Sequence, residues 1–232
     1  MKHCLALLVL SAYSTLAFAA DDWIDVTAPI DPKTTPVYPG NTPIKLEFTM
    51  HYDKGDTLAL SSFQLGAHAG THIDAPLHFI KGGAPLDQIP VTRFMGPVRI
   101  IDCSPEARSI DAAELNKHTW KGAKRIFFRT RNSRNGWMTD AKFHQDFTYI
   151  APDAAQLLAD GGVELVGIDY LSAEQFDSAD RKTHMTLLGR NIPIVEGLLL
   201  RDVQPGDYDL LLLPIRTIGH EAAPARALIK RR

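Results

Sequence analysis

Hydrophobic and polar positions along the chain follow two periods. Lys45-Leu46-Glu47-Phe48-Thr49-Met50 alternates polar with apolar side chains, the pattern of a strand with one buried face, and Trp23–Val26 is a shorter strand candidate. Thr57–Leu65 reads as the next strand, reached through the polar turn Asp53–Asp56. Apolar runs at Val98–Cys103, Arg125–Thr130, Pro193–Leu200 and Asp209–Pro214 predict four more strands. Val163–Ile168 is almost continuously apolar, as in a strand covered on both faces. Helical spacing is found at Ile110–His118, with Asp111 near its start, and at Pro152–Asp160, which opens on proline and stops at Gly161-Gly162. An antiparallel beginning followed by alternating strands and short helices predicts an α/β fold: a single domain with a mixed β-sheet and short helices. No linker, internal repeat or low-complexity segment divides it.

The first residues follow neither period. Lys2 gives a positive start, Cys4–Leu10 is a short apolar run, and Ala17-Phe18-Ala19 is an A-x-A cleavage pattern followed at once by Asp21-Asp22. Residues 1–19 are therefore expected to be a secretory signal peptide, cut after Ala19 or Ala20, with the functional domain at 20–232 and the protein exported to the periplasm or beyond. Cys103 is then the one remaining cysteine, which precludes an internal disulfide. Its place at the end of an apolar strand suggests a half-buried inert thiol. The 25 basic and 27 acidic side chains leave a formal charge of −2, which gives no reason to expect nucleic acid or an anionic membrane as partner. No later stretch is apolar long enough to span a bilayer.

The densest chemistry lies in His68-Ala69-Gly70-Thr71-His72-Ile73-Asp74-Ala75-Pro76-Leu77-His78, which holds three of the nine histidines. A helix would place His68 and His72 on one face, but Gly66, Gly70 and Pro76 predict an irregular loop instead. Such a loop can aim several side chains at one point. Imidazole nitrogens with a carboxylate form the ligand set of zinc and manganese. Downstream, Glu196 is an acid embedded in apolar sequence, so it needs a cation, either a metal or an arginine. His184 stands beside Asp180, Arg181 and Lys182, where an exposed histidine binding nothing is equally well accommodated.

Residues 68–78 resemble the HxGTHxDxPxH signature of the metal-dependent cyclase family, which includes bacterial kynurenine formamidase and isatin hydrolase. Val37-Tyr38-Pro39-Gly40-Asn41-Thr42-Pro43 resembles that family's V-W-P-G-D-T-P stretch. Phe147–Pro152, Gly167-Ile168-Asp169, His184, Glu196 and Pro224-Ala225-Arg226-Ala227 also recur in place, so the resemblance runs over residues 23–230. It implies a swivelling β/β/α-type cyclase fold and a homodimer or higher homo-oligomer. It implies a site in which His68 and His72 bind a first divalent ion, Asp74 and Glu196 bridge, and His184 binds a second. The ions would be Zn2+, two of them being possible, or Mn2+. His78 would move the proton, and Tyr38, in place of the family's Trp, would contact substrate.

The implied reaction is hydrolysis of a small aromatic amide. A divalent ion acidifies bound water to near neutrality and polarises the carbonyl, while a neutral histidine takes the water proton and returns it to the leaving nitrogen. N-formylkynurenine is the expected substrate, with a cyclic amide or lactone, as in isatin hydrolase, as the alternative. A non-catalytic exported metal-binding protein is the reading from another class. Tyr38 could equally pack under its own proline-rich turn. His144 is expected to be packed or on the surface rather than in a pocket, and His220-Glu221 to form a loop salt pair rather than to stand behind the ligands. Arg129 and Arg131 are expected at a solvated strand end rather than at a carboxylate site.

Overall fold

The computed structural model describes residues 22–232, so the expected signal peptide lies outside the described residues. In chain order the elements are β1 (Trp23–Asp25), β2 (Lys45–Met50), β3 (Leu60–Gln64), β4 (His72–Asp74), β5 (Met95–Asp102), β6 (Ser109–Ile110), α1 (Ala112–Leu115) and β7 (Arg125–Arg129). There follow α2 (Arg131–Arg134), β8 (Tyr149–Ile150), α3 (Pro152–Asp160), β9 (Leu165–Ile168), α4 (Lys182–Gly189), β10 (Ile194–Glu196), β11 (Gly206–Pro214) and β12 (Ala222–Arg231). No described helix is long and apolar enough to cross a membrane.

The main sheet runs β1-β12-β11-β5-β7-β9-β10-β4, and β12 also pairs with β4, which closes the sheet into a barrel. Strands β5, β7, β9 and β10 are parallel neighbours, connected through segments that carry the helices; β4, β11 and β12 close the barrel by antiparallel pairing. The expected mixed sheet is therefore present, and the α/β fold is that of a barrel with few, short helices.

Strict alternation along the strands separates two cores. Ile100, Phe127, Leu165, Val195 and Ile73 point into the barrel with Leu210, Leu212, Ala227 and Ile229. Their neighbours Ile101, Ile126, Phe128, Val166, Ile168 and Ile194 point outward under Leu158 of α3 and Leu187 and Leu188 of α4. Near-continuous apolar sequence at β9 thus reflects burial on both faces.

Most expected strands and the helix at 152–160 occur where the pattern placed them. The expected helix at 110–118 shrinks to α1; Asp111 caps it by accepting the Glu114 N–H (2.7 Å). The strand expected at 193–200 stops at Glu196, because Gly197 takes φ +74° and a Cβ there would stand 2.3 Å from the Gly70 carbonyl oxygen. Several elements went unpredicted: β4, β6, α2, β8, α4 and β12. β12 is alanine-rich with an internal proline, a composition poor in strand formers, and its existence rests on partners on both edges. α4 opens on charged residues, but its Thr183, His184, Leu187 and Leu188 are all buried.

The loop expected at 68–78 is irregular only at its ends. Its centre, β4, is drawn into the sheet between β10 and β12. Thr71 ties that junction together. Its Oγ1 donates to the Gly197 carbonyl (2.6 Å) and accepts the Ala28 N–H (2.7 Å), both buried. Replacing Thr71 by the isosteric valine leaves two buried backbone groups without partners, so Thr71→Val should lower unfolding free energy by about 2 kcal/mol or more. Chemical denaturation of the purified variant measures that loss.

Candidate active site

Alternation in β4 puts His72 and Asp74 on the outer face of the barrel while Ile73 enters its core. Register then sets His72 opposite Glu196 and Asp74 opposite Ile194, so the two carboxylates sit on one face of neighbouring strands. His184 reaches that face from α4. His68 comes from the loop before β4, and His78 from the short 3-10 turn Pro76–His78 after it.

Asp74 lies at the middle. Its Oδ1 is 2.8 Å from His68 Nδ1 and 3.5 Å from His72 Nε2; its Oδ2 is 3.6 Å from His184 Nε2 and 3.9 Å from His78 Nε2. Glu196 lies 3.4 Å from His72 Nε2 and 3.2 Å from His184 Nε2. The structure thus brings His68, His72, Asp74, His78, His184 and Glu196 to one place. Two sets offer donor atoms close enough together for one ion: His72, Asp74 and Glu196, and His68, Asp74 and His78. The second set includes His78, for which the family resemblance implies proton transfer.

Each of three histidines has one nitrogen turned to the cluster and the other held from behind. His72 Nδ1 donates to the Gly70 carbonyl (3.0 Å), leaving Nε2 toward the carboxylates. Glu174 Oε2 accepts the His184 backbone N–H (3.0 Å) and lies 3.3 Å from His184 Nδ1. Glu221 Oε1 lies 3.3 Å from His68 Nε2. Partners of this kind fix tautomer and ring orientation in metal sites. Glu174 went unnoticed in the sequence, where nothing but its place after the Gly167-Ile168-Asp169 stretch could have signalled it. Glu221 was expected in a loop salt pair; the β12–β4 pairing brings it to His68 instead.

Asp169 anchors the segment that leads to the site. Its carboxylate accepts from the Thr130 N–H, the Thr130 hydroxyl (both 2.7 Å) and the Ser133 N–H (3.0 Å), which locks the end of β9 to the start of α2. Four residues on, the Ala173 N–H donates to Glu196 Oε1 (2.6 Å).

The electrostatics are those of a cluster that favours a cation. His72 Nε2 and both Asp74 oxygens are buried without a well-aligned hydrogen bond. Such atoms are costly unless something outside the protein satisfies them. Burial opposes charge on His68, but Asp74, Glu196 and Glu221 outweigh it and push its pKa up to about 9. Burial likewise opposes ionisation of Asp74, and His68, His184 and His72 overcome it, holding the carboxyl well below its usual range. A divalent cation meets the same demand better than protons do, and nitrogen with carboxylate donors fits it.

Above the cluster lies a cavity of about 350 Å³ whose wall includes Tyr38, Phe79 and Leu171. Tyr38 is half-buried and meets Phe143 edge-on at 5.0 Å, so it both packs against its surroundings and lines the cavity. Phe79 stacks on His184 at 4.6 Å. His144 stacks on Trp137 and pairs with Asp140, in keeping with the packed reading. Arg129 faces Asp102, and Arg131 faces Asp146, so each meets a carboxylate of the protein itself. Cys103 is fully rather than half buried, and burial pushes its thiol well up, which makes it inert.

The family model Cyclase matches residues 24–175. The kynurenine formamidase of Salinibacter ruber is 35% identical over 208 residues, covering 89% of this chain and 96% of that one. The chain belongs to the cyclase family. The kynurenine formamidase of Bacillus cytotoxicus is 31% identical over 91% of this chain and 98% of its own. A solved structure described as a predicted metal-dependent hydrolase, from Bacillus stearothermophilus, superposes with a TM-score of 0.77 at 35% identity, covering 90% of this chain and 98% of that one. Isatin hydrolase A from Ralstonia solanacearum shares the fold, with a TM-score of 0.76 at 22% identity over 90% of this chain and 92% of that one.

Glu174→Gln keeps the shape behind His184 but removes the charge. It should weaken divalent-metal affinity by about tenfold to a hundredfold, read by chelator competition on the purified protein.

Proposed function

We propose that this member of the cyclase family is a divalent-metal-dependent amidohydrolase of the arylformamidase type, converting an N-formyl aryl amide such as N-formylkynurenine to the free arylamine and formate. One observation carries the reading. A buried carboxylate, Asp74, stands between histidines on both of its oxygens beneath a cavity with aromatic walls, in a chain 35% identical to a kynurenine formamidase.

His72, Asp74 and Glu196, with His68 and His184 beside them, would hold one divalent ion or two. Zinc or manganese suits these donors. When bound, a divalent ion supplies Lewis acidity toward the substrate carbonyl and acidifies water. The remaining work falls to side chains of the chain. Burial, together with His68 and His184, holds His78 below the ordinary histidine range against the pull of Asp74. Its imidazole is therefore neutral at pH 7 and free to accept a proton. His78 takes the proton of the attacking water at Nε2 and returns it to the amide nitrogen, which leaves poorly as an anion. Tyr38 and Phe79 hold the aryl ring and exclude water. Burial pushes the Tyr38 hydroxyl up, so it stays neutral.

The experiment is turnover of N-formylkynurenine by the chain from residue 20 onward, loaded with zinc or with manganese, followed by the formate released. Stripping the metal should abolish turnover and adding it back should restore it. His78→Ala should retain metal and lose about a hundredfold or more in kcat. Full metal content with near wild-type kcat in that variant would remove His78 from the reaction. Turnover of isatin alone would place the protein with the cyclic-amide hydrolases.

Export is part of the proposal and rests on the leader read at residues 1–19. So is assembly as a homodimer. The β2–β3 hairpin is exposed along both strands, and Phe48, Leu60 and Phe63 are more than half exposed, Phe63 at 71%. A row of large apolar side chains of this kind marks a surface that another chain covers. Phe63→Glu should convert a dimer to a monomer in light scattering; a dimer that persists would take the hairpin out of the interface.

A further inference from the structure

The far end of the cavity carries charge that the proposed hydrolysis does not use. Among the described residues lining the cavity, Arg181 is the only lysine or arginine. Its Nε donates to the Ser178 carbonyl (2.8 Å), which fixes the side chain's root, and its guanidinium carbon lies 5.9 Å from the centre of the Phe79 ring. Among the described residues it makes no ion pair with a carboxylate. Its near neighbour Asp180 is engaged by Lys182 (2.8 Å) instead. Asp177 lines the same cavity and likewise has no ion-pair partner among the described residues.

Both residues are held by an uncommon backbone. Asp177 has φ +58° and Arg181 φ +52°, a region that side-chain-bearing residues seldom occupy. The loop between them is closed by the Ser178 N–H donating to the Gln175 carbonyl (3.2 Å). Arg181 also starts α4: its carbonyl accepts the Met185 N–H (2.9 Å), and His184 follows three residues later on the same helix. The cation is thus rigidly linked to the cluster. Phe79, stacked on His184 and lying under Arg181, spans the interval between them with one aromatic ring.

We propose that the mouth of the cavity reads the zwitterionic head group of an α-amino acid, Arg181 receiving its carboxylate and Asp177 its ammonium. The inference rests on the amidohydrolase reading above and narrows it to aryl amides that carry an amino-acid side arm. Arginine suits a carboxylate because its charged N–H groups donate in one plane. A ring with its amide carbonyl at Asp74 and the histidines would lie along Phe79 and Tyr38 and direct its side arm to this loop. A neutral anilide or cyclic amide would leave the two charges without a use.

The test compares N-formyl-L-kynurenine with formanilide, which has the same scissile bond and no head group, on the zinc-loaded chain. The ratio of their kcat/KM values should favour formylkynurenine and should fall at least about tenfold in Arg181→Ala, less in Arg181→Lys, and severalfold in Asp177→Asn. Calorimetric binding of L-kynurenine and of kynuramine, which lacks the carboxylate, gives a second readout: wild type should prefer L-kynurenine and Arg181→Ala should lose that preference. A ratio within twofold of wild type in Arg181→Ala, with L-kynurenine and kynuramine bound alike, overturns the proposal. Cleavage of neither formamide would overturn the hydrolase reading by itself, because calorimetry still reports whether Arg181 selects the carboxylate.

Discussion

A single carboxylate organises the site. Asp74 is buried, ionised by its surroundings, and approached by histidines from both sides. An ion so placed is expensive to remove from water and is tolerated only when opposite charge stands against it. The histidines provide that charge as protons or, better, as a bound divalent cation, which also satisfies the oxygens that no hydrogen bond reaches. Holding those imidazoles in place falls in turn to Gly70, Glu174 and Glu221, and holding these falls to the barrel.

Barrel closure and site assembly are therefore one event. β4 is only three residues long, yet it carries His72 and Asp74, pairs with Glu196 on one side and receives β12 on the other. The Ala75 N–H donates to the Glu221 carbonyl (2.8 Å) just beyond that pairing, so the contact that seals the barrel also brings the Glu221 side chain to His68. Thr71 and Gly197 lock the opposite corner. Stability and the geometry of the cluster draw on the same backbone hydrogen bonds.

The cavity above this centre has three chemically distinct zones. Its apolar wall suits an aryl group, its floor supplies nitrogen and oxygen donors, and its rim presents Arg181 and Asp177. Arg181 opens α4, which carries His184, and Phe79 lies between the two, so a helix and a ring set the reach from cluster to Arg181, while Asp177 sits on the loop before α4.

The sequence by itself determined what local physics can encode. Alternation at residues 45–50 and apolar runs elsewhere located most strands, proline and glycines bounded α3, and the density of histidine with aspartate between residues 68 and 78 pointed to a cation site. Glu196 was legible for the same reason, since an acid inside apolar sequence demands a partner. What only the tertiary structure decided depends on pairing between distant segments. No local pattern states that His72 and Glu196 face each other, that alanine-rich β12 becomes a strand by finding partners on both edges, or that a histidine beside charged residues is buried by α4. Glu174 was illegible for that reason, and Glu221 was legible only as the lesser of two readings. A carboxylate in polar sequence reads as surface charge, and it becomes part of a site only when the fold sets an imidazole against it, from α4 for Glu174 and through the β12–β4 pairing for Glu221.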